Sequence, residues 1–123
     1  MFLEVRKNPK VYAQNKGMDS QYLAKVTSNF RINLDFVAEV SIYSIKEVTN
    51  RKSLDGKSLQ LPISSHVIHL EMSYTHSTHE TSGNPRNIHT VNERYYYKLV
   101  FLPEADDEFL RIRTILDRQT LSL

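Results

Sequence analysis

The chain has 123 residues, 40% of them hydrophobic and 24% charged, with a formal net charge of +2 and no cysteine. That is the length of one domain, able to bury about two-thirds of the surface its unfolded form exposes, and its apolar content is too high for disorder and too low for a membrane protein. The absence of cysteine excludes disulfide frameworks, thiolate zinc sites and cysteine nucleophiles, and so small a net charge selects no partner by itself.

The opening residues, Met1 to Lys7, lack the apolar core and cleavage site of a signal peptide, so a cytoplasmic protein with no membrane span is expected. Phe2, Val5 and Val11-Tyr12 are short apolar patches divided by Asn8-Pro9, and the proline removes a ladder donor, as suits an edge strand or arm. Gly17 and Asp19-Ser20 read as a helix entry, with Asp19 as N-cap and Tyr22, Leu23 and Val26 on the apolar side of one or two turns. Residues 1–28 are therefore expected to form an N-terminal arm or short helix.

From Phe30 to Ile42 every even position is apolar (Phe30, Ile32, Leu34, Phe36, Ala38, Val40, Ile42), and the odd positions read Arg31, Asn33, Asp35, Val37, Glu39 and Ser41. Period two predicts a strand with one buried and one wetted face, placing Leu34 and Phe36 in the core and Asp35 outside it. The pattern runs to about Ile45, longer than most strands, so a bend, bulge or break is expected near residues 36–39. Beyond Val48 the chain turns basic, and Asp55-Gly56 suits a two-residue hairpin turn whose return arm, Ser58 to Leu61, stops at Pro62.

Alternation returns from Ser65, with Ile68, Leu70, Met72 and Tyr74 on one parity and Val67, His69, Glu71 and Ser73 on the other. Residues 75–90 are rich in Ser, Thr and Asn, with Gly, Pro and three histidines, and read as a mobile loop. Val91 to Leu102 rebuilds a strand with Tyr95, Tyr97, Leu99 and Phe101 on one side and Arg94, Tyr96, Lys98 and Val100 on the other. A helix is predicted over 104–119. Pro103 suits its first turn, Glu104, Asp106, Asp107 and Glu108 crowd the positive end of the dipole, and Arg111, Arg113 and Arg118 follow toward the negative end. Ala105, Phe109, Ile112 and Leu116, widened by Ile115, form its apolar stripe.

Antiparallel strands over 30–102 followed by one helix define an α+β domain spanning 1–123: a bent antiparallel sheet or partly open barrel of five to seven strands closed by a C-terminal amphipathic helix. In layout this resembles the pleckstrin-homology type, a bent sheet closed at one end by a final helix.

Chemistry-bearing residues are sparse. His66 and His69 lie three apart, as do His76 and His79, but residues three apart on a strand face opposite ways, which argues against a shared metal. His76, His79 and Glu80 could converge only by ordering a loop, so a histidine metal site is the third-ranked reading. Asp106-Asp107 splay about 100° apart on a helix, no serine has a Gly-x-Ser-x-Gly context, and three glycines supply no phosphate loop. No enzyme activity and no cofactor are expected. Two surfaces remain. Arg94, Tyr96 and Lys98 put two cations and a ring on one strand face, the chemistry single-stranded nucleic acid requires, though a solvated outer face has the same pattern. Lys46, Arg51, Lys52 and Lys57 form a basic turn suited to phosphate groups. The leading expectation is a non-catalytic protein-interaction or assembly module, binding a protein partner or copies of itself; the alternative is nucleic-acid or phosphate-group binding through these basic and aromatic surfaces.

Overall fold

The computed structural model describes residues 1–16, 23–45, 50–52, 58–60, 65–81 and 88–121; for 16, 50–52, 58–60, 76–81, 88–93 and 120–121 it describes the backbone alone. Strand β1 (Phe2–Val5) pairs antiparallel with β4 (Phe30–Asn33) as a two-stranded ribbon. Five strands, β2 (Asn8–Lys16), β3 (Ala24–Val26), β5 (Val37–Ile45), β8 (Ser65–Thr81) and β9 (Ile88–Phe101), form an antiparallel sheet in the order β3-β2-β9-β8-β5. Between them β6 (Asn50–Lys52) and β7 (Ser58–Gln60) pair only with each other among the described residues. A 3-10 turn, Pro103–Ala105, leads into helix α1 (Asp106–Leu121). The domain is thus α+β with one C-terminal helix. Its sheet is open and not closed into a barrel, so what it shares with the pleckstrin-homology type is the order of strands and then a helix.

One face of the sheet is the core. Val11, Ile68, Leu70, Met72, Leu99 and Phe101 point inward and are covered by Leu3 and Val5 of β1, Ile32 of β4, and Ala105, Phe109, Ile112 and Leu116 of the helical segment. The helical stripe is buried as its spacing requires. Arg111 fastens α1 to the ribbon by donating from Nη2 to the Glu4 carbonyl at 2.7 Å while it pairs with the Glu108 carboxylate. From the core a chain of ring contacts runs outward through half-buried Phe30, Tyr97 and Tyr95 to the exposed Tyr74 and Phe36, from Phe30 over Tyr97 at 6.3 Å to Tyr74 against Phe36 at 5.9 Å. On the outer face, Tyr12, Leu23, Val67 and Val100 form a smaller cluster with Ile45 and Leu102 against it.

Three sequence expectations are corrected. The interruption expected near residues 36–39 is present, as a register shift between Val37 and Glu39 preceded by a 3-10 turn at Leu34–Phe36, which is capped by the Asn33 side chain accepting from the Asp35 N–H at 3.0 Å. Three residues per turn cancel the alternation there. Leu34 stays buried and Asp35 exposed, but Phe36, expected in the core, is 49% exposed. Second, the expected helix around Asp19–Val26 gives way at its described end to β3, which pairs with β2, because sheet hydrogen bonds outweigh a turn or two of isolated helix; residues 17–22 lie outside the described set. Third, the expected loop over 75–90 is mostly strand: β8 and β9 stay paired from Thr75↔Arg94 to Thr81↔Ile88. Polarity correlates with loops without causing them, and the β-branched Thr75, Thr78, Thr81 and Thr90 are residue types that strands favour. The expected turn at Asp55-Gly56 lies outside the described residues; on either side of it β6 and β7 pair with Lys52 opposite Ser58.

Burial of α1 gives a direct test. Ile112→Ala is expected to cost about 2–4 kcal/mol through lost burial and an unfilled cavity, while exposed Leu110→Ala changes stability by less than about 0.5 kcal/mol. Denaturant midpoints at equal m-value measure both, and similar effects at the two positions would contradict this placement of the helix.

Candidate functional site

The sheet register assembles the outer face row by row. Gln14, Lys98, His69 and Ser41 stand side by side across β2, β9, β8 and β5, and the next row carries Tyr96, Glu71 and Glu39. Arg94, Tyr96 and Lys98 do share this face, as their parity predicts, but they share it with carboxylates. Arg94 Nη1 lies 3.7 Å from Glu71 Oε2, and the Tyr96 ring tilts over His69 with centroids 4.8 Å apart. The Tyr96 ring is thus half-buried, while Arg94 stays exposed beside a carboxylate. Arg51 and Lys52 lie on β6, described by its backbone alone, and Lys46 and Lys57 lie outside the described residues.

His69 was not expected to matter, and it sits at the middle of this face. With Ser41, Glu39 and Glu71 it lines a depression of about 120 Å³, and its Nε2 is buried without a hydrogen-bond partner. Burial lowers its pKa and Lys98 adds to that, while Glu71 and Glu39 pull the other way. The parity that put Val67, His69 and Glu71 on one face was the available signal; burial on the outer face was not legible from it. His66 points to the opposite face, as a separation of three residues on a strand requires, and its ring stacks on Phe109 at 4.4 Å. His76, His79 and His89 lie on strand backbone whose side chains are not described. Among the described residues no group of three His, Cys, Asp or Glu side chains could hold a metal ion.

His66 also brings a serine and an aspartate together: Ser44 Oγ is 2.9 Å from Nδ1, and Asp106 Oδ1 is 3.7 Å from Nε2. The second distance exceeds a hydrogen bond, so the aspartate does not orient the ring as a hydrolytic triad demands. Neither cavity described here is lined by Ser44. The contacts tie β5 and β8 to the start of α1, which is structural work.

The second surface is the free edge of β5. Opposite Leu70 and Ile68, its Val40 and Ile42 face the core side of the sheet, yet they remain 39% and 37% exposed, because β1, β4 and α1 stop short of them. A groove of about 580 Å³ results, lined by Leu34, Val37, Val40 and Leu116 with the polar Asp35, Glu39 and Gln119. Among the described residues β5 has a neighbour on one side only.

No protein-family model matches the chain, and comparisons with curated proteins and with solved structures find no significant similarity, so the site's own geometry carries the functional argument.

The environment of His69 predicts its titration. A pKa held below the ordinary 6.5 means that the unfolded chain takes up a proton first as pH falls, so this histidine favours the native state above about pH 6.5 and ceases to as pH falls through its native value. The ring resonances should show a midpoint below 6.5, and His69→Gln should flatten the loss of stability between pH 7 and 5. A midpoint at or above 6.5 would mean that Glu71 and Glu39 outweigh burial.

Proposed function

We propose that the chain is a non-catalytic protein-interaction module whose working surface is the open edge of β5, where an extended segment of a protein partner adds to the five-stranded sheet. The observation that carries this reading is the contrast between the two edges of that sheet. At one end β3 has three residues and carries an exposed Lys25, which is how proteins keep an edge from pairing. At the other, β5 runs nine residues with no Lys, Arg or Pro and one carboxylate, Glu39. A register shift between Val37 and Glu39 interrupts its start, but Glu39–Ile45 is regular, and such an edge, with no neighbour on its open side among the described residues and with half-exposed Val40 and Ile42 beside a groove, is an aggregation hazard unless something pairs with it. A partner strand would gain backbone hydrogen bonds from the edge and apolar burial from the groove.

Nucleic-acid binding through Arg94, Tyr96 and Lys98 is the second reading. The row of Tyr96 with Glu71 and Glu39 weighs against it, because two adjacent carboxylates repel phosphate and one of them already pairs with Arg94. A cytoplasmic setting belongs to the same proposal and is supported by a sequence without cysteine. Among the described residues no helix is long and apolar enough to cross a membrane.

Co-purification from the native cell, run in parallel on wild type and Ile42→Lys, tests the reading. Proteins retained by the wild type and lost by the variant, with the variant's unfolding midpoint unchanged, are the expected outcome. Recovery of the same proteins on both, or of nucleic acid that Tyr96→Ala loses, would overturn it.

A further inference from the structure

We infer that the strand received by β5 is β5 of a second copy, the two pairing antiparallel about a two-fold axis at Ser41 to make one continuous ten-stranded sheet. This rests on the interaction reading above and goes further by naming the occupant and its register. In a two-fold pairing of identical strands the residue numbers of facing partners add to a constant, and that constant must be even, so that the core-side faces of both sheets lie on the same side. Five such registers pair at least five residues of Val37–Ile45, and of these a sum of 86 leaves Glu39 and Val40 with no residue of β5 opposite them. A sum of 78 sets Glu39 against Glu39 of the second copy, two carboxylates face to face. A sum of 80 sets Glu39 against Ser41 and Ile42 against Ala38. A sum of 84 sets Glu39 against the aliphatic Ile45 and Val40 against Ser44.

Only the sum of 82 satisfies every exposed position at once. It sets Val40 against Ile42 twice, covering on each copy the two side chains left half-exposed beside the groove. It sets Glu39 against Tyr43 twice, so the one charge on the strand meets a phenol and never its own kind. Ser41, the smallest exposed side chain of the outer face, meets Ser41 on the axis. The central pairs of this register, from Glu39 to Tyr43, lie wholly within Glu39–Ile45, the stretch of β5 whose register against β8 is regular. A cation at 41 would face itself across the axis, and one at 40 or 42 would stand in the apolar contact.

The chain has no cysteine, so an introduced thiol is its sole thiol and reports the register directly. Wild type and Ser41→Cys are studied by sedimentation velocity across micromolar concentrations, followed by mild oxidation with diamide. The expected result is a reversible dimer for both and a disulfide-linked dimer for Ser41→Cys. Glu39→Cys alone and Tyr43→Cys alone should not crosslink, because four residues of offset hold the thiols about 13 Å apart, yet the two mixed together should. Tyr43→Glu, which opposes two carboxylates twice, should weaken the dimer by roughly two- to thirtyfold, and Tyr43→Lys should not weaken it. A monomer at every concentration, or crosslinking as strong at 39 or 43 alone as at 41, overturns the inference. If the wild type is monomeric but Ile42→Lys still loses co-purifying proteins, β5 receives a foreign strand and the interaction reading stands without the dimer. If neither self-association nor that loss is seen, both fall.

Discussion

Everything in this domain follows from how one helix and one two-stranded ribbon are shared out over the inner face of a five-stranded sheet. The apolar stripe of α1 and the inward residues of β1 and β4 close over β2, β9 and β8, where Val11, Leu99, Phe101, Ile68 and Leu70 are fully buried. Arg111 sets the spacing of the two covering elements by bonding across from the helix to the Glu4 carbonyl. With Ile112 and Leu116 committed to that position, the cover ends before β5. The sheet's last strand therefore carries core-facing side chains, Val40 and Ile42, that no element covers fully among the described residues, and the groove beside Leu34 and Leu116 is the space that remains.

That geometry separates the roles of the two sheet faces. The outer face holds the chain's most mixed set of polar groups, His69, Glu71, Glu39, Tyr96, Lys98 and Arg94, but they neutralise and shield one another, as the Arg94–Glu71 pair and the His69–Tyr96 contact show. Opposite charges within reach across neighbouring strands are ordinary sheet stabilisation. The edge has no such internal compensation. Its backbone groups on the open side have no strand to pair with among the described residues, and its side chains are apolar where the neighbouring strand's are buried.

Much of the fold was legible in the sequence because the periodicities are local. The parity of Leu99 and Phe101 against Val100, the stripe from Ala105 to Leu116 and the charge order along α1 all point to the observed elements. Alternation tells which way a side chain points, but not whether another element lies above it, so Val40 and Ile42 carried the same signal as Ile68 and Leu70 and differ only through their place in the sheet order. Phe36 was misplaced for another reason: a three-residue 3-10 turn, started by an Asn33 cap, resets the parity without any proline or glycine to announce it. The polar stretch after Tyr74 was misread because composition stood in for backbone pairing, which extends the β8–β9 ladder to Thr81 regardless of what its side chains prefer. Of the candidate site, the shared face of Arg94, Tyr96 and Lys98 was legible from parity, while the carboxylates and histidine that compensate them come from strands distant in sequence.

The central claim is that β5 is an edge completed by another chain, and amide hydrogen exchange along Glu39–Ile45 as a function of protein concentration tests it most directly. Alternate amides of this strand bond to β8, and the remaining ones point outward. At high dilution the outward set should exchange quickly while the set facing β8 stays protected, and protection of the outward set should rise with concentration or with added partner. Uniform protection of both sets at every dilution would contradict the account, since it would show that the chain covers this edge itself.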